Sequence, residues 1–215
     1  MRKALIFDLD GTLWDSTLQV TEAWNIVGKK YFGDAYSLSH DLVCTLMGKT
    51  MSEIATVLLP KAADPCIADS FVSECFAFEN EYLLNHPGFL YPDEIEILLA
   101  LSKIYDLFIV SNCQAGYIEN YLKIVPAGLF SGHMCWSDTK DEKAVTIRAL
   151  MDSRRISIAL YVGDTEKDEV ASHKAGIPFI HASYGFGTSL SAEGSISGLA
   201  ELETEAKRIF GEGND

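Results

Sequence analysis

The sequence predicts an α/β fold: a doubly wound, Rossmann-like parallel sheet with an all-helical domain inserted after its first strand. Three observations support this. From residue 88 onward, short apolar runs alternate with helical patterns, as repeated β-α units require. Residues 15–87 carry helical patterns and no convincing strand. Polar residues also stand where three of the predicted strands end: Asp8 and Asp10, Ser111 and Asn112, Gly163 and Asp164. Parallel strands bring such ends to one edge of a sheet, so residues far apart in sequence converge on one crevice. The core is expected to comprise residues 1–14 and 88–215, and the helical cap residues 15–87.

Each element has its own basis. Residues 3–7 (Lys-Ala-Leu-Ile-Phe) read as a short buried strand that runs into Asp8-Leu-Asp-Gly-Thr12. Over 16–32, Val20, Ala23, Trp24, Val27 and Tyr31 recur at helical spacing, and Ser16 or Thr17 is placed to cap that helix. Further helical stretches lie near 41–47, 51–59 and 67–84. Asp15 and segment 85–88 cross between core and insert and are the expected hinge, with Trp14 and Trp24 read as core side chains. Residues 92–103 read as a helix with proline near its start. Strands are expected at 107–110, 129–136, 158–162 and 177–182, and helices at 115–123, 143–152 and 165–175. The Ser/Gly-rich run 184–198 is expected to be loop, and 199–210 a closing helix.

The chain has 215 residues, 48% hydrophobic and 22% charged, enough for an ample core without disulfide or metal staples. A formal net charge of −14 argues against nonspecific nucleic-acid or anionic-membrane binding, which needs basic patches. It leaves room for a small anionic substrate, because a local metal and lysine can reverse the field inside one pocket. Five cysteines at irregular spacing, with no C-x-x-C pair, read as reduced thiols of a cytoplasmic protein. The N-terminal apolar run ends at Asp8, too soon for a signal peptide, and no stretch approaches the roughly 20 apolar residues of a membrane span. The expected assembly is a monomer or homodimer.

The first strand's end carries the chemistry. Side chains alternate along a strand, so Asp8 and Asp10 would share a face if the strand simply continued. Two such carboxylates repel, and a bound cation relieves the repulsion. After a buried strand this pattern points to a divalent metal with an aspartate nucleophile or acid/base beside it.

Four segments, in order, resemble the haloacid dehalogenase-like hydrolase superfamily and its phosphoglycolate phosphatase-like branch. They are Asp8-Leu-Asp-Gly-Thr12, Val110-Ser-Asn112, a lysine before a helix near Lys143, and Val162-Gly-Asp-Thr-Glu-Lys-Asp168. Ala175-Gly-Ile-Pro178 and Tyr184-Gly-Phe-Gly187 share the likeness, and the insert resembles that branch's cap domain. The resemblance implies that Asp8 is a nucleophile forming an aspartyl-phosphate, with its other oxygen on Mg²⁺. Asp10 would be the general acid/base, its backbone carbonyl also on the metal, and Asp164 a direct metal ligand. Thr12, Ser111 and the backbone at Asn112 would hold the phosphoryl oxygens.

Lys143 would neutralise charge between Asp8 and the phosphoryl group. Many relatives have Lys-Pro here, whereas this chain reads Thr139-Lys140-Asp-Glu-Lys143. Lys143 is preferred because it opens the helical run at the expected distance before Gly163-Asp164; Lys140 is the alternative. Asp168, one helical turn after Asp164, would orient the lysine or a metal-bound water, with direct ligation left open. Lys49, in the insert, is expected to contact a second anionic group of the substrate, against the competing reading of a solvated surface lysine.

Asp10 points to phosphoryl chemistry, since the superfamily's dehalogenases lack this second aspartate and its phosphonoacetaldehyde-cleaving members replace it. Those members also need a cap lysine three residues after Met-Gly, whereas here Lys49 directly follows Met47-Gly48. The expected function is therefore Mg²⁺-dependent hydrolysis of a small-metabolite phosphomonoester of phosphoglycolate type. Alternatives are a phosphomutase of the β-phosphoglucomutase type and a non-catalytic sugar-phosphate-binding protein. A cap that closes over the site would exclude competing water and bring specificity contacts to the substrate's other end.

Overall fold

The computed structural model describes residues 3–61 and 63–212. The chain opens with β1 (Ala4–Phe7), whose residues are all buried. An apolar run without polar alternation is what a strand covered on both faces needs. β2 (Trp14–Asp15) leads into the insert of α1 (Thr17–Phe32), α2 (His40–Cys44), α3 (Met51–Leu58) and α4 (Pro65–Asn85), and β3 (Phe89–Leu90) leads out. Then come α5 (Glu94–Leu101), β4 (Asp106–Ser111), α6 (Tyr117–Leu122), β5 (Gly132–Cys135), α7 (Trp136–Thr139), α8 (Lys143–Arg154) and β6 (Ala159–Gly163). The chain continues through α9 (Glu166–Lys174), β7 (Phe179–Ala182) and β8 (Gly194–Ile196), then a 3₁₀ turn at Leu199–Glu201 and α10 (Leu202–Ile209).

The six-stranded sheet has the order β5-β4-β1-β6-β7-β8 and is parallel throughout. β1 is central: Ala4 lies opposite both Asp106 of β4 and Ala159 of β6. The chain winds outward in opposite directions from β1, so the topological switch falls at its C-terminal end, where a crevice opens. Alternate residues of β1 serve opposite cores. Leu5 and Phe7 join the larger cluster with Leu107, Ile109 and Val162; Ala4 and Ile6 join the smaller one with Phe108, Ile147 and Tyr161 under α8 and α9. No described helix is long and apolar enough to cross a membrane.

Three local expectations need correction. The run 184–198 is not all loop: Gly194–Ile196 is the sheet's parallel edge strand, in register with β7 from Ile180↔Gly194 to Ala182↔Ile196. Ile196 alone of the three is buried, so no alternation was there to read. The strand expected over 129–136 shrinks to β5, and α7 begins at Trp136. Ser16 occupies the N-cap position of α1, but its side chain does not do the capping. Asp15 Oδ1 accepts from Thr17 N at 2.9 Å and from its hydroxyl at 2.6 Å, while Ser16 makes no side-chain cap bond. The Ser16 hydroxyl is engaged in the site instead.

The two crossings between core and insert pair as a short antiparallel ribbon, Trp14↔Leu90 and Asp15↔Phe89. Within the insert, α1 packs on α4. Val20, Ala23, Trp24 and Val27 form the buried stripe of α1, and Phe71, Cys75, Glu79 and Leu83 that of α4. Glu79 is the one acidic member of that stripe.

Candidate active site

Asp8 follows β1 directly, with its N–H donating to Val162 O at 2.8 Å across to β6. Its side chain is buried, 1% exposed. Lys143 opens α8, and its buried ammonium lies 3.0 Å from Asp8 Oδ1 and 2.5 Å from Asp168 Oδ1. Asp168 serves two structures at once. Its Oδ2 accepts from the hydroxyl and N–H of Thr165 (2.5 and 3.1 Å), forming the capping box of α9, while Oδ1 holds Lys143. Asp164, at the end of β6, accepts at Oδ2 from Phe186 N at 2.7 Å.

Asp8, Asp164 and Asp168 thus form one buried acidic cluster, with ligand atoms within 4.8 Å of one another, facing a single ammonium among the described residues. The imbalance shows in the carboxyls. Burial, then the charge of Asp168, pushes Asp8 up to about 7 against the opposing pull of Lys143. Burial, then the charges of Asp168 and Asp8, pushes Asp164 up to about 8. Burial pulls the Lys143 ammonium down, but Asp168 and Asp8 hold it well above its ordinary value. Asp164 Oδ1 and Thr12 Oγ1 are buried and have no hydrogen-bond partner, and the buried Asp8 Oδ1 meets only the Lys143 ammonium among the described residues. The orphaned Asp164 oxygen close to Asp8, in an all-oxygen donor set with excess negative charge, fits a hard divalent cation such as Mg²⁺.

Gly11 and Gly185 make this packing possible. Gly11 has φ +78, and a Cβ there would stand 2.3 Å from Asp164 Oδ2; one on Gly185 would stand 2.3 Å from Asp164 Cβ. The turn at Gly11 also corrects the expectation that the two aspartates share a face. The strand ends at Phe7, and the carboxylate of Asp10 lies outside the acidic cluster. Asp10 Oδ1 accepts from Trp14 Nε1 (3.0 Å), the Ser16 hydroxyl (3.0 Å) and the Tyr117 hydroxyl (2.8 Å). Oδ2 takes no hydrogen bond among the described residues. Burial raises this carboxyl to about 6, the three donors holding it lower than burial alone would.

The other sequence-derived candidates fall around this centre. Ser111, at the end of β4, is buried and lines a cleft with Asp10, as do Asn112 and Lys49. Asn112 donates its amide to Gly48 O at 3.2 Å, bridging core and insert. Lys140 is exposed, in the left-handed conformation after α7, so geometry brings Lys143 and not Lys140 to Asp8.

The family model of haloacid dehalogenase-like hydrolases matches residues 5–182. The chain belongs to the haloacid dehalogenase-like hydrolases. Solved structures share this fold at low identity. A predicted phosphoglycolate phosphatase from Haemophilus somnus is 22% identical, with TM-score 0.83 over 95% of this chain and 98% of the other. A haloacid dehalogenase-like family hydrolase from Streptococcus pneumoniae is 22% identical, with TM-score 0.78 over 94% and 96%. CbbY from Rhodobacter sphaeroides, solved with phosphate, is 18% identical, with TM-score 0.77 over 94% and 96%. No curated protein matches the sequence.

Sequence reasoning on this hydrolase missed the partners of Asp10 and the far end of the cleft. Tyr117 lies 107 residues from Asp10, and nothing in a single sequence couples them. Glu79, in contrast, did leave a signal: an acidic residue interrupting the stripe of Phe71, Cys75 and Leu83 at four-residue spacing. Trp24 Nε1 donates to its Oε2 at 2.6 Å and Gln114 Nε2 to its Oε1 at 3.3 Å. Burial raises the Glu79 carboxyl to about 8, against the pull of these two donors.

Proposed function

We propose that this hydrolase is a Mg²⁺-dependent phosphatase that cleaves a small-metabolite phosphomonoester through an aspartyl-phosphate. The observation that carries the reading is the division of labour between two carboxyls. Asp8 lies against Lys143 beside the orphaned oxygen of Asp164, and Asp10, two residues on, is held apart by three donors at the edge of the cleft. Asp8 Oδ1, Asp164 Oδ1 and the Asp10 carbonyl would hold Mg²⁺, which when bound neutralises phosphoryl charge.

In the first step an Asp8 oxygen attacks phosphorus while Asp10 gives its proton to the departing ester oxygen, so an alcohol leaves and Asp8 carries the phosphoryl group. Asp10, now ionised, takes a proton from water as that water attacks phosphorus, which restores Asp8 and releases phosphate. A carboxyl raised to about 6 can fill both roles near neutral pH. Lys143 stabilises charge between Asp8 and the phosphoryl oxygens, and Asp168 fixes its position. The Ser111 hydroxyl, the Asn112 N–H and the Thr12 hydroxyl bind those oxygens; the orphaned Thr12 Oγ1 is free to donate.

The insert acts as the cap, and Lys49, on its side of the cleft, would meet any further anionic group that a substrate carries. Phosphoglycolate is the first compound to test, on the strength of that lysine and the Haemophilus relative's description. The experiment is phosphate release from a panel of phosphorylated metabolites, with and without Mg²⁺, for wild type and Asp8→Asn. Mg²⁺-dependent release that the substitution abolishes supports the reading. Release that survives in Asp8→Asn sinks the aspartyl-phosphate route, and isomerisation without phosphate release shifts the reading to a phosphomutase.

A further inference from the structure

Glu79 is a buried carboxyl that the proposed chemistry does not use. It stands 4% exposed on the inner stripe of α4, where an apolar side chain would serve packing better. Among the described residues no cation pairs with it. Each of its oxygens takes a single donor, Trp24 from the insert and Gln114 from the core, and a carboxylate oxygen can accept more than one. Its position over the core is fixed next door: Asn80 donates to Ala115 O at 3.0 Å and its carbonyl accepts from Asn120 Nδ2 at 2.9 Å. Glu79 also lines the cleft that holds Asp10 and Ser111.

We infer that Glu79, oriented by Trp24 and Gln114, determines specificity by selecting phosphomonoesters whose leaving group carries a hydroxyl or ammonium donor over those ending in a second carboxylate. The inference rests on the phosphatase reading above and refines its substrate class. With the phosphoryl group anchored by Lys143 and Ser111, and the ester oxygen within reach of Asp10, the rest of the molecule extends into the cleft that Glu79 and Lys49 line. A leaving group with only a carboxylate satisfies Lys49 and brings no donor to the Glu79 oxygens. One with hydroxyls or an ammonium meets Glu79, and a site built to hydrogen-bond a group rejects the analogue that lacks it. The raised Glu79 carboxyl is compatible with both donors, since an ammonium favours its ionised form and a hydroxyl can pair with either form.

The test compares kcat/KM for sugar and polyol phosphates, phosphoethanolamine, phosphoglycolate and p-nitrophenyl phosphate in wild type, Glu79→Gln and Glu79→Leu. The readout is the ratio of each substrate to p-nitrophenyl phosphate, which cancels losses from partial unfolding. The wild type should prefer a donor-bearing ester to phosphoglycolate by at least tenfold, and Glu79→Leu should cut that substrate's ratio at least tenfold. Glu79→Gln keeps an acceptor oxygen but no charge, so it should cost an ammonium substrate more than a hydroxyl one, which tells the two donors apart. Phosphoglycolate as best substrate of the wild type, or ratios unmoved in both variants, overturns the inference while leaving the phosphatase reading standing. A wild type that hydrolyses nothing in the panel, p-nitrophenyl phosphate included, overturns both.

Discussion

At the scale of single residues, buried carboxyls set both the chemistry and its cost. Glu79 has a folded pKa of about 8, far above its value in an unfolded chain, so the folded state binds more protons between the two. Stability should therefore fall as pH rises from about 4.5 to about 8, because the folded state must ionise a group the unfolded state ionises easily. Glu79→Gln removes that penalty. In urea unfolding, the stability of the variant relative to wild type should rise across this window and level off on either side; a pH-independent difference would contradict the account. Tyr117 makes a second case. Its hydroxyl is the strongest donor holding the Asp10 carboxyl down against burial. Tyr117→Phe should raise the pKa of Asp10, moving the corresponding limb of the kcat/KM profile to higher pH, with a kcat loss of about tenfold. An unshifted profile would show that Tyr117 serves packing alone.

At the scale of elements, each helix start or strand end positions one functional group. Lys143 reaches Asp8 because it is the first residue of α8, and Asp168 meets it because the α9 capping box turns that carboxyl back toward the sheet. Lys143→Ala should lower kcat by about 10²–10³-fold. It should also cost about 3–5 kcal/mol in stability, since two buried carboxylates lose the cation that pairs with both. Lys140→Ala, on the exposed αL position, should change neither, and turnover kinetics with thermal melts check both. The core strands were legible because β1, β4 and β6 are buried on both faces and read as unbroken apolar runs ending in polar residues. β8 was not, because three residues with a single buried side chain carry no period. The acidic cluster was legible in its membership, as the C-terminal ends of β1 and β6. The network around Asp10 was not, because it depends on how α1 and α6 approach each other, which local patterns do not encode.

At the scale of the whole molecule, metal bound by the acidic cluster would add to stability. Mg²⁺ that binds only the folded state stabilises it by mass action, about 2.7 kcal/mol at a hundredfold excess over Kd. Melting curves should therefore shift upward with Mg²⁺ and return on chelation. In Asp8→Asn the apo protein should melt higher than apo wild type, since one member of a repelling, desolvated cluster becomes neutral, while the Mg²⁺ increment shrinks or vanishes. A full Mg²⁺ shift retained in that variant would place the ion elsewhere. The same ribbon of β2 and β3 that joins the insert to the core is two residues wide, so cap movement would pivot on few backbone bonds while the sheet stays fixed.

The central place of β1 has a consequence for how the protein is made. Ala4–Phe7 leaves the ribosome well before either of its two neighbours, residues 106–109 on one side and 159–162 on the other. At roughly 5–20 residues per second, the strand bearing Asp8 waits many seconds for its first partner and longer for its second. Meanwhile the helices of the insert, whose contacts are more local, can already form. The nascent chain thus carries an apolar strand with two open edges beside the helices of the insert, and the site closes only after β6 has been synthesised. Truncation anywhere before β6 leaves the strand that leads into Asp8 with an exposed edge, so incomplete products should be prone to aggregation rather than weakly active.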